Sequence, residues 1–338
     1  MVETNFVDEV IQAGGRLIPL VLPRELSGGT GVMNPSIGLD PDGELLVNLR
    51  SVNYVFYNNE HMQRFPSRYG PLLYIHPEND VALRTQNYLG RLDKNYNVTN
   101  IAWVDTSALD TPPKWTFSGH EDVRVITWGG KLYLTGVRRD TTEDGQGRME
   151  LSEIVIEKKS WKVSEVNRIR IPGPGANNAY CEKNWVPILG KQFQYLKWSC
   201  PTEVVEVTLR EGQASCHTVS LKEGFVPPRD QRGSTHVIPW GKHYIAMMHE
   251  VDLTKNYLDQ KNAIYRHRVC VWDQDFKLVG VSQHFSLLSS RVEFACGGLR
   301  YKKNLLVSFG MEDNCSFLLE IPESYVDVLV ERIVDAAS

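Results

Sequence analysis

The sequence predicts an all-β protein, one five-bladed β-propeller with a short C-terminal helix. Three observations lead there. Strand-like segments fill the chain: "ELLVNLRSV", "VRVITW", "KLYLTGV", "KQFQYLKW", "HYIAMMHEV", "HRVCVWD" and "NLLVSFGM" are short and rich in β-branched and aromatic residues. They are bounded by Gly, Asp, Asn or Pro. Helical periodicity is almost absent before the tail. Third, one pattern returns five times: a polar anchor, a short apolar strand, a turn and a second apolar strand.

The copies follow in order. "NPSIGLDPDGELLVNLR" begins at Asn34, "HEDVRVITWGGKLYLTGVR" at His120 and "EKNWVPILGKQFQYLKW" at Glu182. "RGSTHVIPWGKHYIAMMHE" begins at Arg232 and "EFACGGLRYKKNLLVSFGMED" at Glu293. Further strand-like pieces lie between them, so each unit has room for about four strands. A four-stranded antiparallel unit cannot bury both faces alone. Five stacked around an axis can, and their innermost strands then line a central channel. The 338 residues suit one large all-β domain spanning 1–338. A pair of β-sandwiches is the competing architecture. In the tail, "PESYVDVLVERIVDAAS" places Val326, Leu329, Val330, Ile333 and Val334 at helical spacing, with Ser324 and Asp327 set as a capping box. A helix over about 324–336 is expected, packed on the propeller.

Composition narrows the function. A net charge of −4 lacks the basic field that non-specific nucleic-acid binding needs. No run approaches the roughly 18 apolar residues of a membrane span, and the N-terminus does not read as a secretory signal, so a cytoplasmic location is expected. The six cysteines include no C-x-x-C pair and are expected to be reduced, mostly buried residues. Cys216-His217 is too sparse for zinc. No metal or organic cofactor is called for.

In a propeller, the anchors of the innermost strands converge at one channel mouth. Asn34, the His120–Arg124 cluster, Glu182, Lys183, Arg232, His236 and Glu293 would then share one pocket. Mixed acids and bases in a concave site suit a polyhydroxyl ligand such as a sugar.

These segments resemble glycoside hydrolase family 130, five-bladed β-mannoside phosphorylases and hydrolases, and the related mannosyltransferase/phosphorylases. "GHEDVRVITWGGKLYLTGVR" is similar to the family's E-D-P-R motif, and "NPSIGLDPDGELLVNLRS" to its first-blade motif. "EKNWVPILGKQFQYLKWS" resembles the Lys-containing third-blade segment, and "EFACGGLRYKKNLLVSFGMED" the last blade. The landmarks run in the right order from about residue 30 to 320.

The resemblance implies an inverting glycoside phosphorylase acting on β-mannosides or similar hexosides. Asp122 matches the general acid, which protonates the departing glycosidic oxygen, by relay through a sugar hydroxyl, while phosphate attacks the opposite face. Inorganic phosphate or a sugar phosphate is the co-substrate. Phosphate is already an anionic nucleophile, so the site needs cations to hold it rather than a second carboxylate. Lys183 and one of Arg138 and Arg139 are the leading phosphate ligands, since side chains alternate along a strand; Arg232 and His236 are further candidates. Asn34, Arg50 and Asp313 match sugar-contacting positions. Glu121 can pair with Arg124 and tune Asp122. Trp185 and Tyr54 could stack on a sugar ring. Val123 stands where the family has proline, which leaves the aim of Asp122 to be set by other means. The alternatives are a glycosyltransferase using a sugar-phosphate or nucleotide-sugar donor, a hydrolase, and a non-catalytic carbohydrate-binding propeller.

Overall fold

The computed structural model describes residues 5–28, 31–57, 73–75, 83–174, 181–255 and 261–337. It is mostly β, with a C-terminal helix. Among the described residues the strands group into five antiparallel units, with a separate two-stranded pair, Val55–Tyr57 and Leu73–Ile75. The first comprises Val32–Leu39, Leu45–Val52, Leu83–Leu92 and Val98–Asp105; the second His120–Trp128, Lys131–Arg138, Arg148–Glu157 and Lys162–Arg170. A short parallel pairing of Val163 with Val104 joins these two at their outer strands. The third unit comprises Val186–Pro187, Gln194–Ser199, Thr202–Arg210 and Gln213–Lys222. In the fourth, the innermost strand is split into Arg232–Gly233 and Ile238–Trp240, both paired with His243–Lys255. Lys261–Trp272 and Leu278–Val281 complete it.

The fifth unit uses both ends of the chain. Arg16–Pro19 pairs antiparallel with Cys315–Pro322, outside Glu293–Tyr301 and Asn304–Met311. An N-terminal strand inserted this way ties the first residues to the last and covers a sheet edge that would otherwise lie open.

Each unit presents its innermost strand inward. Val32–Leu39, His120–Trp128 and Glu293–Tyr301 pack on one another, and the short inner strands of units three and four join them. Apolar residues fill the spaces between neighbouring sheets, as Val123, Val125, Leu46 and Leu89 do between units one and two. The Gly129-Gly130 pair turns the second unit's hairpin, both residues at positive φ (57° and 74°), as a two-residue hairpin requires.

The C-terminal helix spans Glu323–Ala337 and buries Val326, Val330 and Ile333. The expected capping box gives way to docking: Asp327 accepts a hydrogen bond from Trp240 Nε1 at 2.7 Å. A short N-terminal helix, Phe6–Gln12, was not foreseen; Asn5 caps it through Val7 N–H. At seven residues it carries too little periodicity to register as helical. No described helix is long and apolar enough to cross a membrane.

Candidate active site

The site is built on backbone irregularities. Along the second unit's inner hairpin, Arg124 faces Thr135 and Glu121 faces Val137, so Asp122 and Val123 together oppose Gly136. This is a β-bulge, and Asp122 sits in it at φ +49°. Gly136 makes the bulge possible: a Cβ there would meet Glu121 O at 2.4 Å. Arg124 fixes the bulge from below, donating to Asp122 O at 2.7 Å. The first unit repeats the device. Its register slips between Met33 and Ser36, and Asn34 stands at φ +44°. Gly310 of the fifth unit leaves room for it, since a Cβ there would lie 2.6 Å from Asn34 N. The aim of Asp122 is thus set by a bulge, a glycine and a buried arginine.

Both bulges aim their side chains at one another. Asn34 Nδ2 donates to Asp122 Oδ1 at 2.7 Å, and Arg50 Nη1 donates to the same oxygen at 2.7 Å. Arg50 is 4% exposed. Thr85 Oγ1 accepts from its Nε at 3.2 Å, and Tyr54 Oη accepts from its Nη2 at 3.1 Å. Glu121 Oε2 lies 3.6 Å from the same Nη2. The Asp122 and Glu121 side chains keep 15% and 17% exposure, so both acids are partly exposed while Asn34 and Arg50 are buried.

The electrostatics separate the three acids around Arg50. Burial pushes Asp122 toward the neutral form, but Arg50, Arg124, Lys183 and the Asn34 hydrogen bond outweigh it, and its pKa falls below the ordinary value. Burial raises Glu121, with Asp122 adding to the rise, against Arg50, Arg139 and Lys183. Burial pushes Asp313 up to about 6, reinforced by Asp122 and Glu312 and opposed by Arg50. Burial lowers the proton affinity of Arg50, but Tyr54, Asp122, Glu121 and Asp313 reverse it and leave the net shift upward. His249 is buried and held neutral, first by burial and then by the charges of His267, Lys183 and Arg124. Ser234 Oγ lies 3.0 Å from its Nδ1.

The structure brings Asn34, Arg50, Glu121 and Asp122 into contact, with Asp313 and Lys183 acting on the cluster through their charges. Lys183 is exposed, and its charge reaches Glu121, Asp122 and His249. Of the two adjacent arginines, Arg139 donates to Cys181 Sγ at 3.1 Å, and its charge reaches Glu121. Arg138 turns the other way, donating from Nε to Glu150 Oε2 at 2.8 Å in a buried pair.

Several expected members are elsewhere. His236 is buried; Val125 O lies 3.0 Å from its Nε2, and its Nδ1 accepts from Gly298 N–H at 3.2 Å. Burial, with Arg124 adding to it, lowers its pKa to about 3, so it offers an anion no charge. Arg124 is not a substrate contact either: it is 1% exposed and also donates to Ser234 O at 3.1 Å. Arg232 is exposed and stacks 4.1 Å above the Trp198 ring. Trp185 is 1% exposed, donating to Glu182 Oε2 at 3.0 Å, so it offers a sugar no open face. Tyr54 is buried against Arg50. Glu293 accepts three backbone N–H bonds, from Leu287, Leu288 and Ser290, and serves the fold. Sequence reasoning passed over Thr85 and the pairing of Ser234 with His249. His249 lies at the middle of the His243–Lys255 strand, and its partner Ser234 comes from a segment 15 residues earlier.

Asp122 is thus a partly exposed carboxyl fixed by two hydrogen bonds, with Arg50 and Glu121 around it, an arrangement suited to moving a proton. No family model matches the sequence, and no curated protein does. Solved structures match over nearly the whole chain. A β-1,2-mannobiose phosphorylase from Listeria innocua, in complex with β-1,2-mannobiose, aligns with a TM-score of 0.51 and 11% identity over 89% of this chain and 92% of its own. A mannose phosphorylase from Leishmania mexicana, in complex with phosphate ion, gives 0.51 and 11% over 95% and 93%. A structure from work on the mannoside phosphorylases of glycoside hydrolase family 130, and on hydrolases in it that target β-1,2 mannosidic linkages in Candida mannan, gives 0.58 and 10% over 95% and 93%. The structural neighbours are family 130 carbohydrate-active enzymes, remote in sequence, and the chain shares their fold.

Proposed function

We propose that this protein is a carbohydrate-active enzyme on a five-bladed propeller, a phosphorylase of β-mannosides, with Asp122 the proton-transferring residue. One observation carries the reading: Asp122, held in a bulge of the second unit, takes hydrogen bonds at 2.7 Å from Asn34 and Arg50 of the first and keeps 15% exposure. The ligands in two of the neighbours' complexes, β-1,2-mannobiose and phosphate, suggest the substrate pair.

In this reading a phosphate oxygen attacks the anomeric carbon and the glycosidic C–O bond breaks. The leaving oxygen takes the proton from Asp122, directly or through a sugar hydroxyl, giving mannose 1-phosphate of inverted configuration and a free acceptor sugar. Lys183 and Arg139 hold the phosphate. Asp122 is ionised in the free protein, so it must gain its proton in the complex. Bound phosphate places negative charge beside it and draws on the same cations, which raises its proton affinity. Arg50 and Asn34 hold the carboxyl in place through that change.

A second reading, hydrolysis, is favoured by Asp313. Its proton affinity is raised while that of Asp122 is lowered, and carboxyls pushed apart in this way divide acid and base work. Hydrolysis by inversion requires a base that activates water. The test is to incubate the protein with β-1,2-mannobiose, with and without phosphate, and follow mannose 1-phosphate and mannose. Mannose 1-phosphate formed only with phosphate supports phosphorolysis. Phosphate-independent release of mannose supports hydrolysis and sinks the first reading, and turnover of neither kind sinks both.

A further inference from the structure

Asp122 stands at φ +49°, in the left-handed region that a residue bearing a Cβ occupies only when its surroundings over-determine the backbone. Gly136 clears the space, and Arg124 holds Asp122 O and Ser234 O on the side where the chain leaves the bulge. The entering side is tied to the hairpin at Glu121 and His120. It is also tied to the first unit, across the space between the two sheets. Asn87 Nδ2 donates to His120 O at 2.8 Å, just before the bulge, and Asn87 Oδ1 accepts from Asn48 Nδ2 at 2.9 Å. Asn87 is 7% exposed and Asn48 fully buried. Chemistry fixes the orientation of this amide. A backbone carbonyl only accepts, so Asn87 must turn its NH2 to His120 and its oxygen to the NH2 of Asn48.

The same strand also serves Arg50. Asn87 lies directly across the strand pair from it. Thr85, on the same face of Leu83–Leu92 as Asn87, accepts from the Arg50 guanidinium at 3.2 Å. One strand thus holds both partners of the 2.7 Å contact between Arg50 and Asp122. It holds the guanidinium through Thr85, and the backbone that leads to the carboxyl through Asn87. The surroundings leave room for movement if that hold is lost. A cavity of about 300 Å³ between the first and second units is lined by Thr85, Asn87, His120 and Ser152, so the His120 segment does not rest on close-packed side chains there. The His120 ring is tethered more loosely, its Nδ1 lying 3.3 Å from Ser152 Oγ, which donates to Glu165.

We propose that Asn87 is a positioning residue for Asp122: its hydrogen bond to His120 O keeps the entry to the bulge where the carboxyl meets Arg50 and Asn34. The proposal rests on the reading of Asp122 as the proton-transferring residue and deepens it. Asn87 touches no substrate and moves no proton. It acts through the backbone, and its loss lets the His120 segment relax toward the cavity and carries the carboxyl away from its two donors. A shift of about 1 Å in a reacting group can cost about 10²-fold in rate.

The test has two arms and two variants. Asn87→Leu keeps the bulk and removes the donor; Asn87→Ser, a smaller change beside the cavity, carries the test if the leucine variant does not fold. In the first arm, kcat and both KM values are measured on β-1,2-mannobiose with phosphate, using protein shown to be folded by circular dichroism. The expected result is a kcat at least about tenfold below the parent, with KM for sugar and for phosphate within about twofold. A residue that only stabilises the fold would leave kcat of the folded enzyme alone, so a kcat within about threefold of the parent, or a loss confined to KM, overturns the proposal. The second arm needs no turnover: the crystal structure of the variant is compared with that of the parent. The Asp122 carboxyl is expected beyond about 3.5 Å from Arg50 Nη1 or Asn34 Nδ2. A carboxyl still bonded to both overturns the proposal whatever the activity. If the parent turns over no mannoside, the activity reading fails by itself, and this second arm still decides the role of Asn87.

Discussion

Replacing His236 by leucine tests how the units are clasped around the axis. His236 belongs to the fourth unit and bonds Val125 O of the second and Gly298 N–H of the fifth. Because Nδ1 accepts, Nε2 must carry the hydrogen, so only the neutral ring with that tautomer serves both partners. Leucine of similar bulk leaves a buried carbonyl and a buried N–H unpaired. At about 1 to 3 kcal/mol for each, His236→Leu should cost about 2 to 6 kcal/mol at pH 7.5. The same residue makes a pH prediction of defined sign. Its folded pKa is lowered to about 3, against an ordinary value near 6.5, so the unfolded chain binds the proton first. The stabilisation is complete above pH 6.5 and is lost progressively below it, toward 3. At pH 5.5 the loss from this residue is about 1.4 kcal/mol. The assay is urea unfolding of parent and variant at pH 7.5 and 5.5. The parent should lose about 1.4 kcal/mol more than the variant over that interval. An identical loss in both proteins, or a variant as stable as the parent at pH 7.5, would refute the clasp.

Three further outcomes are expected. Asp122→Asn should unfold like the parent yet lose about 10² to 10⁴ in turnover, the usual contribution of general acid–base help; steady-state assays on β-1,2-mannobiose with phosphate check this, and a fully active variant would reject Asp122. Lys183→Met should raise KM for phosphate at least tenfold while changing KM for the sugar little, read from initial rates at varied phosphate. Asp313→Asn should remove from the pH profile of kcat/KM a limb near 6, the position to which burial pushes this carboxyl; a profile with that limb intact assigns the titration to another group.

Much of the fold was legible because its signals are local. Alternating apolar segments and Gly-Gly turns mark hairpins within a few residues, and the recurrence of the pattern marks repeating units. The anchors were a different matter. Asn34, Asp122, Glu182, His236 and Glu293 look alike in sequence, polar residues in or near the inner strands. Two point into the shared centre because bulges rotate them there. The other three turn inward to bond indole, backbone carbonyl or backbone N–H groups. Alternation along the strand limited Arg138 and Arg139 to one inward residue, but where each side chain went depended on the strand ending at Arg138 and on Glu150 lying across the hairpin.

The sequence by itself determined the strand-rich class, the repeating units, the C-terminal helix and the set of polar residues from which a site could be drawn, since each depends on neighbours a few positions apart. Only the tertiary structure decided which of those residues meet, that both Glu121 and Asp122 lie against Arg50, and that a cavity of about 300 Å³ opens beside Thr85. Those outcomes depend on contacts between residues far apart in the chain and on burial, which sets proton affinity through the dielectric and charge around each group, and neither is written in local order.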